Sequence, residues 1–189
     1  MRPAANKPLA DTLTMVCIYL LCGLAFAGKS TLARAIASRT GAVLVSLDAI
    51  NERRGLHGGL GVPDAVWAEA HQTALRKAED VVARGAPVVV DDTNCFRFLR
   101  DDYRALASGF GVKCLVVYVD APLSLALSRL RENEATLVRP RVTEAVLLEL
   151  ARRFEAPDAD EPHLSFTPGT NEAAWVAANL ASDGPSRVG

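Results

Sequence analysis

The residues best suited to chemistry lie in the stretch GLAFAGKST, which begins at Gly23. Gly23 and Gly28 are spaced as in the pattern G-x-x-x-x-G-K-S, and Lys29 and Ser30 complete that pattern. Glycines at this spacing let successive backbone N–H groups surround a phosphate, and a helix that follows directs its positive end at the same anion. The stretch therefore predicts a phosphate-binding loop.

The side chains of this loop would have separate roles. The ammonium group of Lys29 can reach the outer phosphates, and the hydroxyl of Ser30 can ligate the Mg²⁺ that accompanies them. Thr31 follows as a neighbour without an assigned role. The main-chain amides that would line the phosphates belong to the loop itself, including those of Ala25, Phe26 and Ala27.

An export signal is the alternative interpretation of the same region. Arg2 and Lys7 precede an apolar run from Leu13 to Leu24, and the Ala-x-Ala triplet that ends at Ala27 resembles a cleavage site. Cleavage after Ala27 would destroy the glycine–lysine–serine pattern, and the apolar run is too short to cross a membrane. We therefore favour the phosphate loop and expect a cytoplasmic protein.

Carboxylates follow two further apolar runs. The run from Ala42 to Asp48 predicts a buried parallel strand with Asp48 at its carboxyl end, and the run from Ala86 to Val90 is followed by Asp91 and Asp92. Parallel strands bind ligands at their carboxyl ends, so these side chains are candidates for the site. Asp48 could instead cap a turn or helix.

The pair Asp91 and Asp92 leaves two roles open. We expect one of them to bind a metal ion and the other to cap the helix that follows. Asp91 is preferred as the metal ligand because it is the first residue after the apolar run.

The order of predicted elements indicates an α/β fold. Strands alternate with helices, which predicts a three-layer arrangement with a five-stranded parallel sheet covered on both faces and a helical lid. The predicted strands are residues 14–22, 42–48, 86–90, 113–119 and 163–166, and the predicted helices are residues 29–39, 64–82 and 98–107, one that begins at Pro122, and residues 143–154. Ser108 and Gly109 are expected to end the third of these helices.

We expect one domain over residues 12–182, with a lid around residues 129–143 and loose tails at residues 1–11 and 183–189. The glycine-rich segment from Arg53 to Pro63 predicts a mobile loop on the acceptor side of the site, and His57 within it is a weaker candidate for contact with an acceptor. We expect both Trp67 and Trp175 to pack in the core.

Composition excludes some classes of function. Lys and Arg number 21 against 22 Asp and Glu, so no global basic field exists to hold a long polyanion. The four cysteines include no CxxC pair, and neither they nor the three histidines have the spacing of a zinc site. We therefore expect reduced structural thiols and an anion site that is local.

Four stretches together, GLAFAGKST, LVSLD, VVVDDTN and RRFEAPDADEP, resemble a family of small phosphate-loop kinases. The likeness extends from about Met15 to about Pro168. The group that it resembles includes polynucleotide 5′-hydroxyl kinases, chloramphenicol phosphotransferase, zeta-toxin-like kinases and the seryl-tRNA kinase. Its members have an AAA-type ATP-binding kinase domain. The resemblance implies ATP and Mg²⁺, with acceptors that differ widely between members.

The resemblance also implies roles for residues. Asp48 would accept the proton of the acceptor's hydroxyl group, and the aspartate of VVVDDTN would help to organise the metal. The residues that would hold the ATP phosphates and magnesium are Gly23, Gly28, Lys29, Ser30 and Thr31. The arginines in the region of the family's lid are Arg129, Arg131, Arg139 and Arg141, of which we expect Arg129 to bind the nucleotide and Arg131 to assist catalysis.

One position departs from the family pattern. Polynucleotide kinases have an arginine three residues after the catalytic aspartate, where this chain has Asn51, and Arg53 and Arg54 come slightly later. This departure favours a small acceptor, such as an antibiotic, a nucleoside or a sugar nucleotide. We also expect no membrane partner. A 5′-hydroxyl polynucleotide or tRNA kinase is one alternative, and a nucleotide-binding regulatory ATPase is another.

Overall fold

A computed structural model describes residues 17–56, 62–136 and 142–180. The strands within these residues are β1 Cys17–Cys22, β2 Val43–Ser46, β3 Val88–Asp91, β4 Lys113–Val119 and β5 His163–Phe166. The helices are α1 Lys29–Thr40, α2 Leu47–Arg53, α3 Asp64–Ala83, α4 Arg97–Phe110, α5 Leu123–Thr136, α6 Glu144–Arg153 and α7 Glu172–Asn179.

The described strands form one parallel sheet of five strands in the order β2-β3-β1-β4-β5. β1 lies at its centre, and all six of its residues are buried because helices cover both faces of the sheet. Leu20 of β1 is in register with Val90 of β3, and Asp91 is in register with Ser46 of β2. The carboxyl ends of β1, β2 and β3 therefore meet at one edge, and the α/β fold is confirmed.

Two apolar clusters hold the helices against the sheet. One face of the sheet packs against α2, α3 and α4 through residues such as Ile18, Ala74 and Tyr103. The other face packs against α1 and α7 through residues such as Ile36 and Val176. The alternation of strands with helices therefore produces the three expected layers.

A third apolar cluster lies above the glycine loop. Its buried members are Ala126 and Leu130 of α5 and Leu147 of α6, and Leu24 and Phe26 of the loop pack against it. The predicted lid, residues 129–143, includes the second half of α5 and ends just before α6. Residues 137–141, which include Arg139 and Arg141, lie outside the described residues.

A buried ion pair joins α4 to the segment before β5. Arg100 donates from Nε and Nη2 to the two carboxylate oxygens of Glu161, at 2.5 and 2.7 Å. Its Nη1 donates at 2.9 Å to the backbone oxygens of Asn94 and Glu155. Burial raises the pKa of Glu161, but the hydrogen bonds and positive charges of Arg100 and Arg104 outweigh burial and lower that pKa below its ordinary value.

The strand predicted over residues 42–48 ends earlier than expected. The hydroxyl of Ser46 accepts a hydrogen bond from the backbone N–H of Ala49 at 3.3 Å, and this cap begins α2. Asp48 is therefore the second residue of a helix, and its prediction as a strand end is wrong. β2 is also an edge strand whose Val43 and Leu44 are exposed, so it is not fully buried as predicted.

Smaller differences concern element ends. α4 continues to Phe110 and is closed by Gly111, whose φ of 66° is left-handed, and not by Ser108 and Gly109 as predicted. β3 includes Asp91, one residue later than predicted. The prediction had no counterpart for α7, which Asn171 caps by accepting from the backbone N–H of Ala174 at 2.9 Å.

Other expectations concern the termini and the thiols. The predicted tails at residues 1–11 and 183–189 lie outside the described residues, as does His57. Cys17, Cys22 and Cys95 are buried free thiols, and Cys114 is a half-buried one. Among the helices that the structure describes, none has both the length and the apolar character needed to span a bilayer.

Candidate active site

The glycine loop starts where β1 ends, at a position that only glycine can occupy. Gly23 has a φ of 148°, and a Cβ atom there would lie 2.8 Å from the backbone oxygen of Val119 in β4. Its N–H donates to the backbone oxygen of Thr93 at 3.0 Å. Gly23 therefore lets the loop leave the sheet between β3 and β4 without a clash.

The remainder of the loop turns its backbone toward the start of α1. Phe26 has a φ of 62°, an uncommon conformation for a residue with a side chain, and Gly28 has a φ of 109°. The backbone oxygen of Gly28 accepts from the N–H groups of Thr31 and Leu32, so Gly28 is the N-cap of α1. The first N–H groups of α1 and its positive end face the loop, which makes an anion site.

Lys29 folds its side chain back over this loop. Its Nζ donates to the backbone oxygens of Gly23 at 3.0 Å and Leu24 at 2.7 Å. Burial lowers the pKa of Lys29, and the negative charges of Asp91, Asp92 and Asp48 oppose that effect. The ammonium group is thus held at the loop and surrounded by the carboxylates of the site.

The two described lid arginines lie in different places. Nη1 of Arg129 donates to the backbone oxygens of Phe26 at 3.0 Å and Ala27 at 2.9 Å, so α5 is attached directly to the glycine loop. Arg131 lies 3.5 Å from Glu144, has a side chain that is 64% exposed, and does not line the cleft described below. The structure therefore brings Arg129 to the glycine loop, although Arg129 does not itself line the cleft, and it does not bring Arg131 to either.

The segment after β3 fixes two aspartates beside the loop. Asp91 is the buried last residue of β3, and Asp92 accepts a hydrogen bond through Oδ1 from the backbone N–H of Thr93 at 2.6 Å. Burial raises the pKa of Asp92. The N-cap of α4 is Phe96, so the expectation that one aspartate caps this helix is wrong: Asp92 caps the turn at Thr93 instead.

Asn94 connects this turn to the sheet. It is fully buried with a φ of 42°, and its Nδ2 donates to the backbone oxygen of Leu21 in β1 at 2.7 Å. Its own backbone oxygen accepts from Arg100. The buried arginine thus supports the turn that carries Asp91 and Asp92.

α2 carries a further carboxylate and an amide to the same region. Asp48 is exposed in the first turn, and Asn51 is buried three residues later. The side-chain Oδ1 of Asn51 has no hydrogen-bond partner among the described residues.

These groups line one cleft with a volume of about 1120 Å³. The sequence-predicted residues that line it are Ala25, Phe26, Gly28, Lys29, Ser30, Asp48 and Asp91. Gly23 and Ala27 shape the loop behind it, and Thr31 lies on the exposed side of α1. The cleft is large enough for the phosphates of a nucleotide together with a small second molecule.

Sequence reasoning missed several residues on the wall opposite the loop. Trp67 was expected in the core, but it is 36% exposed and lines the cleft from the first turn of α3. His71, one turn later, bonds through Nε2 to Oδ2 of Asp102 at 2.9 Å. Phe96 and Phe98 stack with ring centroids 5.6 Å apart. The four-residue step from Trp67 to His71 is the sequence signal that could have indicated a shared helix face.

A family model described as an AAA domain matches residues 18–157. The chain belongs to this family. A shikimate kinase of Nitratidesulfovibrio vulgaris is 34% identical over 173 residues, which cover 88% of this chain and 95% of that protein. An L-seryl-tRNA(Sec) kinase of Methanococcus maripaludis is 25% identical over 181 residues, which cover 90% of this chain and 60% of that protein. The chain thus spans less than two thirds of the seryl-tRNA kinase.

Solved structures give the same fold. The APS kinase CysC of Mycobacterium tuberculosis, in complex with AMPPNP and APS, matches with a TM-score of 0.65 at 19% identity, over 88% of this chain and 96% of that one. The AAA domain, the glycine loop and the kinase relatives together identify a P-loop kinase domain of the ATP-binding type. The narrower grouping with polynucleotide kinases and chloramphenicol phosphotransferase stays a prediction.

Proposed function

We propose that the protein is a kinase that transfers the γ-phosphoryl group of ATP to a hydroxyl group of a small molecule. One observation carries the proposal: Lys29 and Ser30 of the phosphate loop line the same cleft as the carboxylate of Asp48. A nucleotide bound to the loop would then share this cleft with a carboxylate that can accept a proton. Phosphoryl transfer requires little more than this positioning and the neutralisation of charge.

The nucleotide would bind through the loop. The backbone N–H groups of the loop and of the first turn of α1 are the donors for its phosphates. Lys29, now bonded to Gly23 and Leu24, would turn its ammonium toward the outer phosphates. Arg129 is a positioning residue, because its bonds to Phe26 and Ala27 hold the loop in its left-handed conformation.

The residues beside Lys29 fit a magnesium ion. Ser30 supplies a hydroxyl at the start of α1, and Asp91 and Asp92 supply carboxylates that line the same cleft. Hard oxygen ligands of this kind, few in number, suit Mg²⁺ that also contacts phosphate oxygens. Bound there, the ion would neutralise charge on the phosphates. Asp91 is the preferred ligand, because it is the last residue of β3 and follows the apolar run directly.

The transfer step uses the acceptor's hydroxyl group. Its oxygen forms a bond to the γ-phosphorus while the bond from that phosphorus to the bridging oxygen breaks, and ADP leaves with the electron pair. The hydroxyl proton passes to the carboxylate of Asp48, which is exposed to the cleft from the first turn of α2. Positive charge from Lys29 offsets the charge that develops on the phosphoryl oxygens.

A labelled-phosphate screen tests this function. The purified chain would be mixed with magnesium and ATP labelled at the γ-phosphate, then with pools of alcohols, nucleosides and sugars. The expected result is label on an acceptor from the parent protein and its loss from the Asp48→Asn variant. Magnesium-dependent binding of ATP without transfer to any pool would refute the kinase and favour a regulatory ATPase.

A tRNA or polynucleotide end is the second candidate acceptor, because the chain resembles an L-seryl-tRNA(Sec) kinase over 181 residues. Labelling of 5′-hydroxyl oligonucleotides and of seryl-tRNA in the same assay tests it. Transfer to either, with a steep loss of activity as salt rises, would replace the small acceptor with a nucleic acid.

A further inference from the structure

We infer that the acceptor is an amine-bearing alcohol with an apolar body, and that anionic acceptors are excluded. The inference rests on the proposed kinase function and concerns the wall of the cleft opposite the phosphate loop. This wall is formed by α2, the first half of α3, the start of α4 and α6.

Charge on the cleft is strongly unbalanced. Among the described lining residues there are eight carboxylates and two cationic side chains, Lys29 and Arg153. Lys29 belongs to the phosphate loop, and the guanidinium of Arg153 lies 5.2 Å from the ring centre of Phe96. Asp91 and Asp92 lie beside the phosphate loop, and the other six carboxylates line the rest of the cleft, so a carboxylate or phosphate on the acceptor would meet mainly like charge there.

Three of these carboxylates lack an ion-pair partner within the described residues, although the charge of Asp48 also acts on Lys29. Asp48, Glu52 and Asp64 form no ion pair there, whereas Asp102 is bonded to His71 and Glu149 to Arg152. Asp48 and Glu52 are four residues apart on α2, a spacing at which like charges repel each other. A cationic group of a ligand between them would relieve this repulsion.

The arginines nearest in sequence do not line the cleft, since neither Arg53 at the end of α2 nor Arg54 after it is among the described lining residues. Arg54, just after α2, is ion-paired with Glu69 and donates to the backbone oxygen of Val66 at 3.4 Å. It lines a separate surface depression along α3 and not the cleft. Arg54 is therefore directed to the outer side of α3.

Within the described residues, two buried polar atoms on the same wall have unused hydrogen-bonding capacity. Asn51 and His71 are each only 6% exposed and line the cleft, and Oδ1 of Asn51 and Nδ1 of His71 have no partner among the described residues. Nε2 of His71 is bonded to Asp102, so Nδ1 is the ring nitrogen without a partner. Oδ1 of Asn51 is an acceptor, so an N–H or O–H group of a ligand that reached it would satisfy it.

Exposed aromatic rings supply the apolar part of the site. Trp67 and Phe98 are 36% and 62% exposed, and both line the cleft beside Leu99 and Val146. Exposed aromatic surface in a cleft favours an apolar ligand body, and the ring faces also attract cations. The combined chemistry is that of an amphipathic alcohol with a protonated amine.

Three small alcohols that share one skeleton test the inference. Phenylethanolamine, styrene glycol and mandelate carry the same benzylic hydroxyl beside an ammonium, a neutral hydroxyl and a carboxylate. Binding of each to the full chain, loaded with a magnesium complex of a non-hydrolysable ATP analogue, would be followed by the fluorescence of Trp67. A Trp67→Phe variant identifies the signal from that residue. We expect phenylethanolamine to bind roughly tenfold more tightly than the glycol, and mandelate more weakly than both.

A charge variant localises the effect. Glu52→Gln should lower the affinity for phenylethanolamine several-fold and leave that for styrene glycol unchanged. Glu79→Gln, on the exposed face of α3 outside the cleft, should change neither. Equal effects of the two variants would overturn the inference.

The outcomes separate this inference from the proposed function. Preferred binding or phosphorylation of mandelate, equal binding of the glycol, or no binding of the amine to nucleotide-loaded protein would overturn the acceptor class and leave the kinase untouched. Preferred binding of the amine in a protein that transfers phosphate to no alcohol would support the acceptor class and refute the kinase.

Discussion

The ammonium nitrogen of Lys29 lies 2.7 Å from the backbone oxygen of Leu24. This bond keeps a buried cation on the phosphate loop, where burial already lowers its pKa. In the proposed mechanism Lys29 exchanges these backbone oxygens for phosphate oxygens, so its charge would reach the nucleotide without a long displacement.

Replacement of Lys29 tests the phosphate loop directly. Lys29→Ala should lower the rate of phosphoryl transfer by about 10²- to 10³-fold, since it removes a positive charge aimed at the phosphates. Isothermal calorimetry should also show weaker binding of magnesium–ATP. Lys77→Ala, on the exposed side of α3, is the matched control. If the Lys29 variant binds and turns over like its parent, the phosphate-loop assignment is lost.

Asp48→Asn tests the proton acceptor. We expect a fall in kcat of about 10²- to 10⁴-fold with little change in ATP affinity, because the amide cannot take the hydroxyl proton while its shape is preserved. Asp80→Asn on α3, which is exposed and outside the cleft, should leave kcat unchanged. Normal turnover by the Asp48 variant would remove this residue from the mechanism.

The two aspartates after β3 should respond differently. Asp91→Asn should raise the magnesium concentration needed for half-maximal activity by roughly tenfold, because a charged ligand is lost. Asp92→Asn should have a smaller effect, since an amide oxygen can still accept the bond from Thr93. A magnesium titration of both variants provides the measurement, and the reverse order would assign the metal to Asp92.

Gly23→Ala tests the exit of the loop from the sheet. The new Cβ would lie 2.8 Å from the backbone oxygen of Val119. We expect a loss of at least about 2 kcal/mol in the free energy of unfolding, since backbone must move. The control Gly85→Ala has a φ of 74° and open space at Cβ, so it should cost only about 1 kcal/mol. Denaturant unfolding of both variants measures the two losses in stability. Equal losses would contradict the close approach of Gly23 to Val119.

Glu161→Gln tests the buried ion pair and its pH dependence. Removal of the carboxylate leaves Arg100 buried without its counter-charge, so stability at neutral pH should fall by about 3 kcal/mol. The folded-state pKa of Glu161 lies below its ordinary value of 4.5, so its contribution is complete above that pH and is lost as pH falls through the folded-state pKa.

The difference between parent and Glu161→Gln should therefore narrow in acid. Urea unfolding at a series of pH values from neutral to acid provides the measurement. A difference that stays constant down to low pH would mean that the charge of Glu161 does not support the fold.

Much of the fold and part of the site follow from local sequence patterns. The boundaries of β4 and β5 are as predicted, because short apolar runs between turn residues are typical of buried strands. The glycine loop is where the pattern from Gly23 to Ser30 places it, and its left-handed φ angles at Gly23 and Gly28 explain the glycines. These features depend on residues that are close in the chain.

The features that the sequence left undetermined depend on contacts across the chain. Asp48 lies in a helix and not in a strand because the Ser46 cap begins α2 before the apolar run ends. Trp67 lines the cleft together with residues of α2, α4 and α6, some of which are distant from it in the chain. His71 and Asp102 are 31 residues apart and meet only when α3 packs against α4.

By itself, then, the sequence determined the phosphate loop and the alternation of strands and helices, since hydrogen-bonding geometry and hydrophobic periodicity act over a few residues. Only the tertiary structure decided which carboxylates, aromatic rings and buried polar atoms share the wall opposite that loop. The physical reason is that the packing of helices on the sheet sets these distances, and no local pattern encodes that packing.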